Sequence, residues 1–322
     1  MLHTSFWNRR SFLRQCGAIL SCGSIGIKFR AQAEVPGGDT QLAFHADDNG
    51  FAFNTGQLSG RLRQQGRPIG ITPLHYKGTS SDLSQPYGIC SHYRLLDAET
   101  RYGVAAWEWA GTGELLSDGS VESRWTRDES HPFDLRATYR WHAADTLDVM
   151  TTVIAARRLQ RFEVFLASYF QGFADSFVYV RGCSATGGVP GFLKAEEKNG
   201  VWQMFPRDET AIQTIRDGRW LRPPHPVEWA IMPFFEYPLA IRRDSETGLV
   251  AAIMSRSQEC FAVATPYSGE GHRSIYFSLF GQDLEPEQPV TASLRLVIGQ
   301  SLDDEAIVRR YHSYVSEEQQ KA

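Results

Sequence analysis

From Phe133 to Trp141 every second residue is apolar. Phe133, Leu135, Ala137, Tyr139 and Trp141 alternate with Asp134, Arg136, Thr138 and Arg140. Side chains of an extended backbone point to opposite faces in turn, so this segment buries one clean face only as a strand. Leu147, Val149, Thr151 and Val153 repeat the pattern after a polar break at 142–146, which predicts an antiparallel pair. Further strands are predicted at Phe162–Phe170, Ser176–Arg181, Leu239–Arg242, Leu249–Ser255, Phe261–Thr265, Arg273–Gly281 and Val290–Ile298. Turn signals such as Thr186-Gly187-Gly188 and Glu246-Thr247-Gly248 separate them.

Two stretches read as helix. Asp208–Asp217 follows Pro206 and stops at Gly218, and Asp303–Val315 opens on two acids that suit a helix amino terminus. Many strands and few helices predict an all-β fold, a large antiparallel β-sandwich with a C-terminal helix. Residues 34–322 are expected to form one domain. Within it, residues 182–238 break the rhythm with Pro, Gly and Trp and read as a long insertion or cover. The segment His45–Gly50 lacks the order of a calcium loop and reads as a flexible start of the mature chain.

The first 33 residues carry five basic groups and no Asp or Glu. Arg9 and Arg10 precede Phe12-Leu13, an apolar stretch runs from Cys16 to Ile27, and Ala31-Gln32-Ala33 closes it. These three parts make an export signal, and the arginine pair resembles the twin-arginine type. The expected location is periplasmic or secreted, with lipid attachment at Cys22 as the alternative. The remaining 28 Lys and Arg against 37 Asp and Glu leave a charge of −9, which argues against nucleic acid or anionic lipid as partner. No later stretch is apolar enough to span a bilayer. Cys90, Cys183 and Cys260 are widely spaced and form no metal-binding pair. One disulfide with a spare thiol, or three buried thiols, are both consistent.

The segment His131-Pro132-Phe133-Asp134-Leu135 through Trp141, then Asp145-Thr146-Leu147-Asp148-Val149, resembles the middle of galactose-mutarotase-like proteins. Ser168-Tyr169-Phe170 is similar to their His-x-Tyr-Phe stretch, with Ala167-Ser168 where those proteins place the histidine before the Tyr-Phe pair. The resemblance covers roughly 45 residues well. It implies a β-supersandwich whose concave face binds a sugar. Because the histidine is replaced, it does not carry mutarotase chemistry over to this chain.

Candidate chemistry follows from strand faces. In Gly269–Leu279, Ile275, Phe277 and Leu279 share an apolar face, while His272, Ser274, Tyr276 and Ser278 share a polar, aromatic one suited to sugar hydroxyls and ring faces. Glu270 and His272 are a candidate acid–base pair. On Phe162–Phe170, Glu163 and Tyr169 fall on the same face as a candidate base and proton donor. His92 and Arg94, sharing a face with Tyr93 turned away, are candidates for binding a uronate carboxylate. Trp107 and Trp109 would stack on a sugar from one strand face, and Trp202 with Trp220 and Trp229 would cover it. Core packing, or a solvated strand face, explains each of these as well.

Histidine spacing fits no metal motif, and neither a phosphate loop nor a nucleophile elbow occurs, so no cofactor is expected. The sequence leads to an exported carbohydrate-handling protein using acid–base chemistry of lyase, epimerase or hydrolase type. The alternative is a non-catalytic sugar-binding or envelope protein.

Overall fold

The alternating segments pair as neighbours. In a computed structural model that describes residues 42–64 and 67–321, Leu135 lies opposite Val153, and Tyr139 opposite Val149. Strands β1 to β19, numbered along the chain, make three sheets among the described residues. The four-stranded sheet runs β1 (Phe44–Asp47), β2 (Gly50–Asn54), β3 (Leu58–Arg63), β4 (Gly70–Tyr76). The six-stranded sheet has the order β14 (Ala230–Ile231), β13 (Trp202–Pro206), β17 (Cys260–Pro266), β18 (Ser274–Leu284), β10 (Leu159–Tyr169), β5 (Ser91–Leu96). The nine-stranded sheet has the order β12 (Gly191–Lys194), β11 (Asp175–Val180), β15 (Phe235–Arg243), β16 (Leu249–Ser255), β19 (Pro289–Gln300), β9 (Thr146–Ala155), β8 (Phe133–Ala143), β7 (Val121–Trp125), β6 (Thr112–Leu115). Pairing is antiparallel except between β13 and the two-residue β14. The expected all-β sandwich with a C-terminal helix is the fold observed.

The main core lies between the six- and nine-stranded sheets. Phe162, Val164 and Leu166 of β10 and Ile275, Phe277 and Leu279 of β18 meet Leu135, Tyr139, Val149, Leu294 and Leu296 there. Apolar burial of this kind stabilises by about 25 cal/mol per Å² and fixes the strand register, because a one-residue slip would turn every side chain over. Helix α2 (Asp304–Lys321) covers the outer face of the nine-stranded sheet, packing Ile307, Tyr311 and Tyr314 on Leu239, Ile241 and Val250.

Two expectations are corrected here. His45–Gly50 is a β1–β2 hairpin and not a loose end. Phe44 and Phe53 pin it to Trp141, with ring centres 6.0 and 4.6 Å away. Residues 182–238 are only partly a cover, since β12, β13 and β14 within them extend two sheets. The three cysteines of the described residues are free thiols, and Cys183 is half-buried where Cys90 and Cys260 are buried. Among the described residues no helix is long and apolar enough to cross a membrane. The export-type segment, with Arg9, Arg10 and Cys22, lies outside the described residues.

Candidate functional site

The outer face of the six-stranded sheet is where most of the candidates meet. Strand alternation turns Glu163, Phe165, Ala167 and Tyr169 of β10 away from the main core, and the pairing with β18 sets Tyr276 opposite Ala167. Phe165 and Tyr276 stack with ring centres 4.6 Å apart, and the hydroxyls of Tyr276 and Tyr169 lie 3.5 Å apart. Both tyrosines are buried, and burial pushes both phenols well above their ordinary range, so they are neutral donors over the physiological range.

A bulge in β5 rearranges the next group. Arg94 pairs with Phe165 and His92 with Leu166, so Tyr93 is the extra residue. Inserting one residue reverses the alternation beyond it. His92 therefore points into the main core, where its Nε2 meets Thr151 Oγ1 at 2.9 Å and its ring packs 5.3 Å from Trp125. Burial drives its pKa down to about 3. His92 is a neutral core residue, which removes it from the site. Tyr93 and Arg94 both reach the outer face instead: Arg94 Nη2 donates to the Tyr93 hydroxyl at 3.1 Å, and the guanidinium lies 5.3 Å from the Trp220 ring.

Trp107 and Trp109 separate for a related reason. They sit in and after a 3₁₀ turn, Ala106–Glu108, not on a strand, and at three residues per turn neighbours two apart diverge. Trp107 stacks on Tyr93 at 4.5 Å with the rings 7° from parallel, and its ring centre is 6.2 Å from that of Tyr169. Trp109 packs against His131 and Phe133 at the edge of the main core. Trp109 is thus not part of the aromatic face, whereas Tyr87 joins it, 5.4 Å from both Trp107 and Tyr169.

Residues 207–231 lie over the same face. Helix α1 (Glu209–Ile215), capped by Asp208 through the Ala211 amide at 2.9 Å, buries Ala211 and Ile215 against the sheet with Trp220. Behind it, Arg219 reaches Glu163 at 3.1 Å and Asp217 at 2.8 Å. Glu163 is fully buried. Burial raises its pKa against the opposing pull of Arg219. It is an anchor for the insertion, sealed from any ligand, and it stands roughly 20 Å along the strand from Tyr169 at about 3.3 Å per residue.

Glu270 and His272 sit in the turn before β18. His272 Nδ1 is 2.8 and 2.9 Å from the two Glu270 oxygens, and its amide donates to Oε2 at 2.7 Å. Burial of Glu270 is outweighed by these hydrogen bonds, so its carboxyl is held below the ordinary range. The His272 ring meets Trp202 at 5.2 Å, Trp202 meets Trp229 at 6.2 Å, and Trp229 meets Tyr276 at 6.5 Å. One chain of contacts therefore runs from Glu270–His272 through Trp202, Trp229, Tyr276, Tyr169 and Trp107 to Tyr93 and Arg94. This layer sets flat apolar rings beside hydroxyl, imidazole and guanidinium donors, groups of the kind that recognise a sugar. Tyr87 was not singled out, Trp229 was read as cover, and Tyr93 was read as turned away because no sequence signal marks the bulge.

Two hollows lie elsewhere, by α2. One of about 400 Å³ is lined by Tyr179, Phe192, Asp304 and Arg309, and one of about 490 Å³ by Arg140, His142, Asp148 and Glu317. Among the described residues no group of three His, Cys, Asp or Glu is placed to hold a metal ion.

No family model matches the chain, and no curated protein matches it. Among solved structures, the α-N-acetylgalactosaminidase NagBb of Bifidobacterium bifidum, as a quadruple mutant, is similar at a TM-score of 0.51 and 12% identity. The match covers 83% of this chain and 39% of that one, so the chain spans about two fifths of NagBb. A galactose mutarotase-like protein from Lactobacillus casei ATCC 334 is similar at TM-score 0.48 and 9% identity, over 80% of this chain and 100% of that one. A putative aldose 1-epimerase from Escherichia coli K12 follows at 0.44 and 12%, over 76% and 97%. At 12% identity the NagBb likeness is one of fold alone.

Proposed function

We propose that this is an exported carbohydrate-handling protein whose ligand lies on the outer face of the six-stranded sheet. The observation that carries the reading is the continuity of an acid–base pair, Glu270–His272, with the aromatic face of Trp202, Trp229, Tyr276, Tyr169 and Trp107. Sharing a fold with part of a glycosidase agrees with it, and the basic signal-like segment supports export. In this reading Glu270 holds the imidazole through Nδ1, Nε2 of His272 exchanges a proton with the sugar, and the tyrosine pair donates hydrogen bonds to hydroxyls. The reaction is of lyase, epimerase or hydrolase type.

The second reading is a non-catalytic sugar-binding protein. It is favoured by the depth of Tyr169 and Tyr276, which are only 4% and 3% exposed beneath the aromatic cover. One experiment separates the two. The protein is screened on a glycan array, and its ligands are then incubated with it while reducing ends and absorbance near 235 nm (unsaturated uronate) are followed. Products that vanish in His272→Ala support catalysis; binding with no product supports the module. Silence in both assays overturns the carbohydrate reading.

A further inference from the structure

Arg94 is the most under-used donor on the aromatic face. It is 4% exposed, and its Nη2 donates to the Tyr93 hydroxyl and, at 3.0 Å, to the carbonyl of His225. Its Nε and Nη1 are buried with no hydrogen-bond partner among the described residues, and so are the indole nitrogens of Trp220 and Trp229. These groups belong to one cluster: the Trp220 and Trp229 rings are 5.2 Å apart, and Arg94 lies over Trp220. All four unmet atoms are donors. Each buried donor without an acceptor costs about 1–3 kcal/mol, more when it is charged, so a concentration of them points to an acceptor-rich occupant.

A second arginine stands beside the first. Arg101 donates through Nη1 to the carbonyl of Pro224 and to that of Arg222 at 3.4 Å, and through Nη2 to that of Val104 at 3.1 Å. Burial, and after it the charge of Arg94, brings the Arg101 pKa down to about 10. The two guanidinium groups thus hold neutral carbonyls of one loop, residues 222–225. The acidic group that acts on His225 is Glu108, which is itself exposed. A carboxylate is a stronger acceptor for guanidinium than a peptide carbonyl.

We propose that Arg94 and Arg101 form the subsite for the carboxylate of an acidic sugar, admitted as the loop at 222–225 gives up its carbonyl contacts. The bound carboxylate accepts from the Arg94 N–H groups that the protein leaves unused, with Arg101 alongside and the sugar ring extending toward Tyr93 and Trp107. The proposal rests on the carbohydrate reading above and narrows it to uronates. It also replaces the expected partner of Arg94, since His92 lies on the other side of the sheet.

The test is calorimetric titration of the mature protein with methyl glycosides of glucuronic, galacturonic and mannuronic acids, with the three matching neutral hexosides, and with acetate. At least one uronoside should bind about tenfold or more tightly than its neutral partner, the factor expected of a charge-assisted hydrogen bond. Arg94→Gln and the less buried Arg101→Gln should each reduce that preference to about twofold or less. A thermal melt identifies a variant that fails to fold, and the other then decides. Equal binding of acid and neutral sugar by the wild type overturns the subsite and leaves the carbohydrate reading standing. Acetate bound as tightly as the uronoside, or a preference that survives in the folded variants, also overturns the subsite. If none of the six glycosides binds, the carbohydrate reading fails and the subsite with it.

Discussion

Arg219 and Glu163 meet at 3.1 Å with both side chains fully buried, joining the insertion to β10, next to the edge of the six-stranded sheet. Asp217 shares the same guanidinium at 2.8 Å and takes a second contact from Arg161 at 3.3 Å, so two acids face two bases. The pair explains why a carboxylate on the outer face of β10 serves structure: its position was legible from alternation, and its partner came from 56 residues away in the chain.

Arg219→Met should destabilise the protein by about 3–5 kcal/mol, because it strands Glu163 in a dry site while Asp217 keeps Arg161. Adding Glu163→Gln should recover part of that loss, since the substitution removes the stranded charge. Urea unfolding followed by tryptophan fluorescence measures both. A single variant within about 1 kcal/mol of wild type would show that the ion pair does not anchor the insertion.

His92 should make stability depend on pH in a defined window. Its folded pKa is about 3, below the ordinary 6.5. Between these values the unfolded chain binds a proton that the folded protein refuses. Stability from this residue is therefore full above about pH 6.5 and is lost as pH falls toward 3, by at most about 1.4 kcal/mol per pH unit. His92→Gln, which keeps an amide for Thr151, should flatten that slope. Urea midpoints from pH 4 to 7 read it, and an unchanged slope would place the titration in another group.

Glu270→Gln should act on both function and acid stability. Glu270 is held below its ordinary pKa chiefly by His272 hydrogen bonds that outweigh burial, so its contribution is present above about pH 4.5 and is lost as pH falls through the lowered folded value. The amide should remove that acid-side loss. It should also lower turnover of a substrate found by the product screen by about 10²-fold or more, as expected when a general acid–base pair is broken. Full turnover with the pH profile unmoved would remove the pair from the chemistry.

Trp107 and Trp109 should part company. Trp107→Ala removes the ring stacked on Tyr93 and should weaken sugar binding by about tenfold, close to the worth of one aromatic stacking contact. Trp109→Ala should leave affinity within about twofold and lower only the melting temperature, because its ring packs on His131 and Phe133. Equal losses of affinity in the two variants would show that the face does not select between them.

What the sequence determined by itself was the strand system and the side each strand residue faces. Period-two alternation placed β8, β9, β10, β16, β18 and β19 and put Phe165 and Tyr169 on one face of β10 and Tyr276 on the polar face of β18, because burial of the opposite face leaves no other register. The hairpin at Phe44–Asn54 was not legible, since His45–Gly50 reads as a loose start until Phe44 and Phe53 are seen packed on Trp141. Only the tertiary structure decided which candidates share a site. The bulge at Tyr93 sends His92 into the core and Arg94 out, a choice set by pairing with β10 and not by local composition. The 3₁₀ turn parts Trp107 from Trp109. The insertion brings Arg219 to Glu163 and Trp229 to Tyr276 across long sequence separations, and such contacts depend on loop closure and packing that no local pattern encodes.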